Sequence, residues 1–541
     1  MKKYFFVAVY FFSLCSIFTQ TWQDTTAKVE QIFARYTADN PGCMLAISRN
    51  DAVIYSKAWG MADLEHNIQL TTYSPSEAGS VSKQFVAASI LHLVQQGKLS
   101  IQDDIRKYFP EYRDYGRPIT IDHLLRHTSG LKDWGALFSL TGWERQTKTY
   151  SNEDAAHIVS LQQSLNFLPG DEYSYSNSNY ILLALLVQKI SGISLEDYTK
   201  KYIFEPAGMK NTQWRSNFKK IVPNRAMAYS KVKEEYFTDM PNEYVYGAGG
   251  LLTTAEDLLA WNSYYLQGKM SDVHLLEMQK RTVPLNNGRL NNYAAGIVVD
   301  STNGWPAISH TGATASYRCF LYQFPVQNIS IAFLSNTSEF DRMPFNLSKA
   351  VIDIWIPNIS ANISKTKMVP YSMNSNNKMA LAGWYRSERD GSGLQIKQDK
   401  DGKLKTQNTT LIPISETSLG SDSGAKWEMT KSKKLRYITP SLDSIYFVKV
   451  DSSVTTEKIL KQYIGDYYSS EVLASCEINW KGGKLVYSQR PRKDMILTPT
   501  YKDGFDMDFG TLYFKRDKQG KILSFSISIG RARNVVFKKI K

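Results

Sequence analysis

The sequence predicts an α+β domain, one antiparallel sheet with a helical insertion, followed by two small all-β domains. Three observations lead there. Strand-like runs stand at both ends of the first 359 residues: Cys43–Ile47 and Val53–Trp59 near the start, then Ala294–Val299, Tyr317–Phe324 and Ile329–Leu334. Between them, helical spacing of apolar residues dominates to about residue 270. From about residue 380 the pattern alternates, as in Thr511-Leu-Tyr-Phe-Lys and Ile522-Leu-Ser-Phe-Ser-Ile-Ser-Ile.

In chain order, Lys2 and Lys3 precede an apolar run from Tyr4 to Phe18, and polar sequence resumes near Thr19. Residues 1–20 read as a secretory signal, too short to span a bilayer as a helix. Leu14-Cys15 is a poor match to a lipidation site. The expected location is secreted or periplasmic, with no transmembrane segment after signal removal. Residues 22–38 have the spacing of an amphipathic helix, Pro41-Gly42 turns into the first strand, and Arg49-Asn50-Asp51 turns into the second. The first domain is expected over 21–359. Residues 360–379, rich in Ser, Asn and Lys, read as a linker to β domains at 380–455 and 456–541. A weak repeat relates those two. Gly383-Trp-Tyr-Arg-Ser-Glu resembles Gly465-Asp-Tyr-Tyr-Ser-Ser-Glu, Gly402-Lys-Leu resembles Gly483-Lys-Leu, and Leu411-Ile-Pro resembles Leu497-Thr-Pro.

A chain of 541 residues exceeds one core, and 43% hydrophobic with 21% charged residues is ordinary globular composition. The net charge of +14 is unevenly placed. Residues 361–541 hold 32 Lys+Arg against 18 Asp+Glu, which accounts for all of it. An exported protein seldom meets nucleic acid, so the partner this charge suggests is an anionic envelope polymer or lipid headgroup; a solvated basic surface explains it equally well. Cys15 would leave with the signal. Cys43, Cys319 and Cys476 make neither a disulfide framework nor a metal spacing, and read as buried thiols with one pairing left open.

The chemistry centres on Ser80-Val-Ser-Lys83. Serine and lysine three residues apart share a helical face, so the amine can reach the hydroxyl and take its proton. The pattern alone is common here, recurring at Ser129, Ser216, Ser230, Ser364, Ser375 and Ser423. Context sets Ser80 apart: Gly79 precedes it, and an apolar stretch from Phe85 to Val94 follows, ending at Gly97. Ser80 and Lys83 thus fall in the first turn of a core helix, where free backbone N–H groups and the helix dipole favour developing negative charge. A second element is Tyr175-Ser-Asn177, after the turn Pro169-Gly-Asp: a phenol able to pass protons and an amide able to hold a substrate carbonyl or the lysine. The third is His310-Thr311-Gly312 at the end of the Trp305–Ser309 stretch, where a glycine lets a substrate backbone lie along a strand edge.

Together and in this order these motifs resemble the serine β-lactamase and penicillin-binding family, in the branch of class C β-lactamases, D-Ala-D-Ala carboxypeptidases, D-aminopeptidases and related esterases. The resemblance extends to Ile119-Thr-Ile-Asp-His-Leu-Leu-Arg-His-Thr-Ser-Gly-Leu, Phe204-Glu-Pro-Ala-Gly-Met and Gly247-Ala-Gly-Gly-Leu, covering roughly residues 25–355. It implies a β-lactamase/transpeptidase-like fold and an exported serine hydrolase that cleaves an amide or ester through an acyl-enzyme, without cofactor or metal. Ser80 is then the nucleophile, Lys83 and Tyr175 share acid-base work with the base unassigned, and Asn177 orients the substrate. His310 stands where many β-lactamases have Lys, with Thr311 and Gly312 beside it, and the N–H groups of Ser80 and Ala313 form the oxyanion hole. The C-terminal region is similar to lipocalin-like barrels attached to some relatives. Two departures bear on the substrate, expected to be a small molecule or peptide. His310 replaces the commoner Lys, and no Arg or Lys lies between Gly296 and His310, which favours a substrate without a C-terminal carboxylate. Arg318, on the next strand, is a candidate replacement.

Two other readings differ in class. His123 and His127 have an i, i+4 spacing that could bind zinc, but Leu124 stands where a His-Glu-x-x-His motif needs Glu. A non-catalytic binder of envelope polymer would keep the fold yet have no need of Ser80, Lys83 and Tyr175 together. Because all motifs lie before residue 360, the first domain is expected to fold and act without the β domains.

Overall fold

The computed structural model describes residues 22–145, 147–270, 273–341, 345–359, 369–407 and 409–541. The expected signal segment and residues 360–368 of the expected linker lie outside them. The first domain is built on a six-stranded antiparallel sheet. In spatial order its strands are Val298–Thr302, Trp305–Thr314, Tyr317–Phe324, Ile329–Ser335, Cys43–Arg49 and Ala52–Trp59. The N-terminal hairpin joins the C-terminal strands through Cys43–Arg49 against Ile329–Ser335, with Cys43 opposite Ser335. Cys43 to Ile47 and Ile329 to Ser335 are buried, because this sheet is covered on both faces. One face packs under the helices Trp22–Phe33 and Phe345–Trp355 through Val29, Phe33, Leu347 and Val351. The other meets the helical insertion, whose centre is the pair Lys83–Gln95 and Asn177–Ser191.

Two local expectations change. The strand expected at Ala294–Val299 begins only at Val298, because Ala294 donates back to Ile297 (2.9 Å) and Ala295 to Gln279 (3.1 Å), closing a turn. The stretch expected to end at Ser309 continues to Thr314 and carries His310, Thr311 and Gly312 with it.

The C-terminal half holds two all-β barrels. Eight strands from Gly383–Ser387 to Ser444–Val450 pair in chain order and close on each other. Nine strands from Gly465–Ser469 to Ala532–Lys539 form the second, nearly closed unit. Residues 375–381, inside the expected linker, form a helix capped by the Asn374 side chain, and Met373 and Leu381 enter the first barrel's core. The repeat seen in the sequence has a physical basis. Tyr385 donates to the Leu381 carbonyl and Tyr467 to the Tyr463 carbonyl, each at 2.8 Å and each four residues back. Over each ring lies a lysine, Lys449 or Lys539, 5.8 Å from its centroid. Gly383 and Gly465 leave room for these stems: a Cβ would come within 2.9 Å of Lys449 Cε and 2.4 Å of Lys539 Cε.

The first barrel has its own core, but the second does not. Its buried residues, among them Val472, Ile478, Phe514 and Phe525, belong to the same apolar cluster as the helical insertion. At this junction Lys132, fully buried, meets the carboxylate of Glu471 at 3.4 Å, and that carboxylate also accepts from Gln163 N and Val536 N. Apolar surface of the helical insertion that the second barrel covers would face water in its absence. A chain ended near Ser360 should be poorly soluble. In the full chain, Glu471→Ala should leave Lys132 buried without its counter-charge and cost about 3–5 kcal/mol in chemical denaturation. A loss below about 1 kcal/mol would show that water or Ser164 replaces Glu471.

Candidate active site

Ser80 sits in the tight turn Gly79–Ser82, which runs straight into the helix Lys83–Gln95. Two glycines bring this turn against the strand Trp305–Thr314. Gly79 has φ +51°, and a Cβ there would lie 2.7 Å from Ala313 N. A Cβ on Gly312 would lie 2.0 Å from the Ala78 carbonyl oxygen. Only backbones without side chains approach so closely. The contact brings Gly79 against Ala313 N and Gly312 against Ser80 N. The neighbouring strand Val298–Thr302 pairs only with Trp305–Ser309, so Thr311–Thr314 is paired on one side, against Tyr317–Phe320.

Lys83 is fully buried, and three oxygens surround its amine. Ser80 Oγ lies at 3.1 Å, Asn177 Oδ1 at 2.9 Å and the Ala248 carbonyl at 2.5 Å. Burial, with Arg531 and Arg145 nearby, holds the amine well below the usual lysine range. A neutral amine has two N–H groups and one lone pair. In its neutral form the amine would give its two N–H groups to Asn177 Oδ1 and Ala248 O, which can only accept, and leave the lone pair for the Ser80 hydroxyl.

The Ala248 carbonyl comes from Gly247-Ala-Gly-Gly-Leu. Gly250 N donates to Glu77 (3.0 Å) and Leu251 N to Ser82 Oγ (3.2 Å), which fixes the loop to both sides of the nucleophile turn. Glu77 in turn pairs with Arg215, both buried. Asn177 opens the helix Asn177–Ser191, with its own N–H donated to Asp133 (2.7 Å).

Tyr175 lies beside this group, its ring centroid 4.8 Å from Lys83 Nζ. Its hydroxyl is shut from solvent and bonds no described protein atom. Burial pushes the phenol well up, and the nearby Ser80 hydroxyl pulls it only partly back, so it stays protonated. His127, at φ +56°, stacks 4.2 Å from this ring. It accepts through Nδ1 from Ser176 N (3.2 Å), with Asn179 Nδ2 at 3.0 Å, and so pins the tyrosine loop. His123 accepts from Thr120 N at its own helix start. The two histidines thus serve separate local bonds rather than one metal.

His310 Nδ1 lies 2.6 Å from the Thr311 carbonyl, which can only accept, so Nδ1 carries the proton. Nε2 then accepts from Tyr293 OH at 3.0 Å. Burial and Lys83 push this imidazole down to about 3, so it is neutral and cannot supply the charge of a lysine. Arg318 does not replace that charge either: its guanidinium donates to the Ala315 and Tyr317 carbonyls at 2.8 and 2.7 Å.

Ser80, Lys83, Tyr175 and Asn177 meet at the Lys83 amine, Gly312 and Ala313 abut the Ser80 turn, His310 lies 6.3 Å ring to ring from Tyr175, and Thr311 lies between His310 and Gly312 on the strand. A cavity of about 40 Å³ opens there, lined by Ser80, Asn177, Trp134, Arg145, Ala248 and Ala313. A larger cleft of about 610 Å³ lies elsewhere, around Phe204, Trp214 and Lys210, and holds none of the eight expected site residues. Sequence reasoning missed Ala248 and Tyr293, whereas His127 was read as a packing and hydrogen-bonding residue near the site. It also missed Arg531, on the second barrel's hairpin between Ile522–Ile529 and Ala532–Lys539, whose guanidinium lies 4.8 Å from the Tyr175 ring centroid. The glycine-rich run around Ala248 was a visible signal, whereas Arg531 had none.

A six-stranded antiparallel sheet with this helical insertion, and Ser-x-x-Lys, Tyr-x-Asn and His-Thr-Gly converging between them, defines a class that comparison with known proteins also reaches. The profile of the family described as "Beta-lactamase" matches residues 29–352, and the chain belongs to that family. A D-aminopeptidase of Brucella anthropi is 23% identical over 539 residues, 96% of this chain and 99% of its own. Penicillin-binding protein 4* of Bacillus subtilis is 29% identical over 55% of this chain and 68% of its own. Among solved structures, the octameric penicillin-binding protein homologue of Pyrococcus abyssi matches at TM-score 0.53 and 22% identity, over 79% of this chain and 99% of that one. D-amino acid amidase of Ochrobactrum anthropi SV3 matches at 0.52 and 19%, over 61% and 99%.

The buried imidazoles make stability depend on pH. His310 titrates at about 3 and His127 well below 6.5 in the folded state, against 6.5 for a free imidazole. Between about pH 3 and 6.5 the unfolded chain binds protons that the folded one refuses, so stability falls as pH drops through that window. His310→Asn should shallow this slope in urea denaturation at pH 7 and pH 4.5. An unchanged slope would show that His310 is protonated in the fold.

Proposed function

We propose that this chain is a serine hydrolase that cleaves an amide or ester through an acyl-enzyme on Ser80. The observation that carries the reading is the buried Lys83 amine, within hydrogen-bond distance of Ser80 Oγ, Asn177 Oδ1 and the Ala248 carbonyl. Lys83 then takes the Ser80 proton as Oγ bonds to the substrate carbonyl carbon, and the Ser80 and Ala313 N–H groups hold the resulting oxyanion. Tyr175, protonated and beside the same amine, donates its proton to the leaving amine or alkoxide as the scissile bond breaks, and recovers one from Lys83. Water repeats the sequence on the acyl-enzyme and frees Ser80. This division of labour makes Lys83 the base and Tyr175 the acid.

The D-aminopeptidase and D-amino acid amidase relatives favour a D-amino-acid amide or peptide among the amides, with small esters as a second substrate. The leader-like residues 1–20 support action outside the cytoplasm, and the charge of the basic barrels supports a role in holding anionic polymer near the site.

A fluorophosphonate should label Ser80, read by peptide mass spectrometry, and Ser80→Ala should lose both label and turnover, by about 10³-fold or more. A label on another serine, or none, would fit the non-catalytic binder instead. Tyr175→Phe should lower kcat by about 10²–10⁴ on a substrate with a poor leaving group. It should lower it far less on a 4-nitrophenyl ester, whose leaving group needs no proton. Equal losses on both would make Tyr175 the base and remove Lys83 from that role.

A further inference from the structure

The guanidinium of Arg531, 4.8 Å from the Tyr175 ring centroid, is weakly compensated. Its side chain is 48% exposed, and its one ion-pair partner among the described residues, Asp133, stands at 4.0 Å. That carboxylate is already engaged: it accepts from Asn177 N at 2.7 Å, Gly135 N at 3.0 Å and Ala136 N at 3.3 Å. The other charges of the site are better matched. Arg145 grips Glu243 through two nitrogens, and Arg215 pairs with Glu77 at 2.9 Å.

The position of Arg531 is built rather than incidental. Its carbonyl accepts from Asp133 N at 3.2 Å and from Asn166 Nδ2 at 2.8 Å. Two residues on, Arg533 N donates to Asn166 Oδ1 at 2.8 Å, and its guanidinium pairs with Glu172 at 2.9 Å. Glu172 also meets Arg389 of the first barrel at 3.3 Å, and Arg389 meets Asp443 at 2.8 Å, so all three domains anchor the loop that leads to Tyr175. The hairpin is thus held at its backbone while the Arg531 side chain stays free to bind.

We propose that Arg531 determines specificity by binding an anionic group of the substrate, a carboxylate being the best geometric match, on the part that projects past Tyr175 toward solvent. A guanidinium offers paired N–H groups to a carboxylate, and at a half-exposed site it pays little desolvation. The same charge disfavours a free ammonium there. The substrate class is therefore an ester or amide that carries a carboxylate on the part reaching Arg531. This rests on Ser80 chemistry, so the test separates the two.

Three 4-nitrophenyl esters of matched length probe it: mono-4-nitrophenyl glutarate, its neutral methyl ester, and the 4-nitrophenyl ester of 4-(trimethylammonio)butyrate. The full chain should show kcat/KM in that order, the first about 10-fold or more above the last at low salt, with the gap shrinking in 0.5 M NaCl. In Arg531→Gln the ratio of anionic to cationic ester should fall by about 10-fold, and in Arg531→Glu it should invert. If Arg531 acted only by supporting Tyr175, all three esters would fall together and the ratio would hold, which overturns the proposal. So would equal rates in the unaltered chain. Either result leaves the serine-hydrolase reading intact as long as Ser80 takes the phosphonate, and failure of that labelling overturns both.

Discussion

A lysine amine with no solvent exposure is the constraint around which the first domain is arranged. Burying an ammonium costs several kcal/mol unless it is neutralised or fully bonded. Here the fold lowers the proton affinity of Lys83 and surrounds the amine with one hydroxyl and two carbonyl oxygens. Each oxygen arrives on a different element: the nucleophile turn, the start of Asn177–Ser191 and the glycine-rich loop at Ala248. If any of these shifts, the lone pair loses its direction toward Ser80.

The surroundings keep that amine dry and poor in protons. Tyr175 and Tyr180 present rings to it at 4.8 and 5.6 Å, and His127 and His310 sit nearby as neutral imidazoles. The neutrality of His310 bears on how its motif works. In place of a cation, the strand offers a one-sided edge at Thr311–Thr314 and an imidazole locked to Tyr293. A further positive charge beside Tyr175 comes from outside the first domain, on the hairpin of a barrel more than 200 residues later in the chain.

That arrangement makes the second barrel part of the enzyme rather than an appendage. It shares an apolar core with the helical insertion, exchanges a buried ion pair with it and fixes the tyrosine loop through Asn166 and Glu172. The first barrel keeps a separate core and reaches the site only through Arg389 and Asp443. Two copies of one β pattern, with the same tyrosine-to-carbonyl bond and the same lysine over the ring, thus serve different structural ends.

The sequence by itself determined what depends on local spacing. Ser80 and Lys83 share a face because they are three residues apart, Gly97 ends their helix, and alternation marks the strands of both barrels. It also carried the order of the three motifs and the repeat around Tyr385 and Tyr467. It placed the end of the His310 strand too early, because pairing with Tyr317–Phe324, not local alternation, extends that strand to Thr314. It left the base unassigned, because the choice between Lys83 and Tyr175 depends on which oxygens surround the amine. It also treated the first 359 residues as self-sufficient, because apolar periodicity shows that a face is buried but not which element buries it. Arg531 had no motif to mark it. Its place beside Tyr175 is decided by how a hairpin docks across a domain interface, a long-range packing outcome that no window of sequence contains.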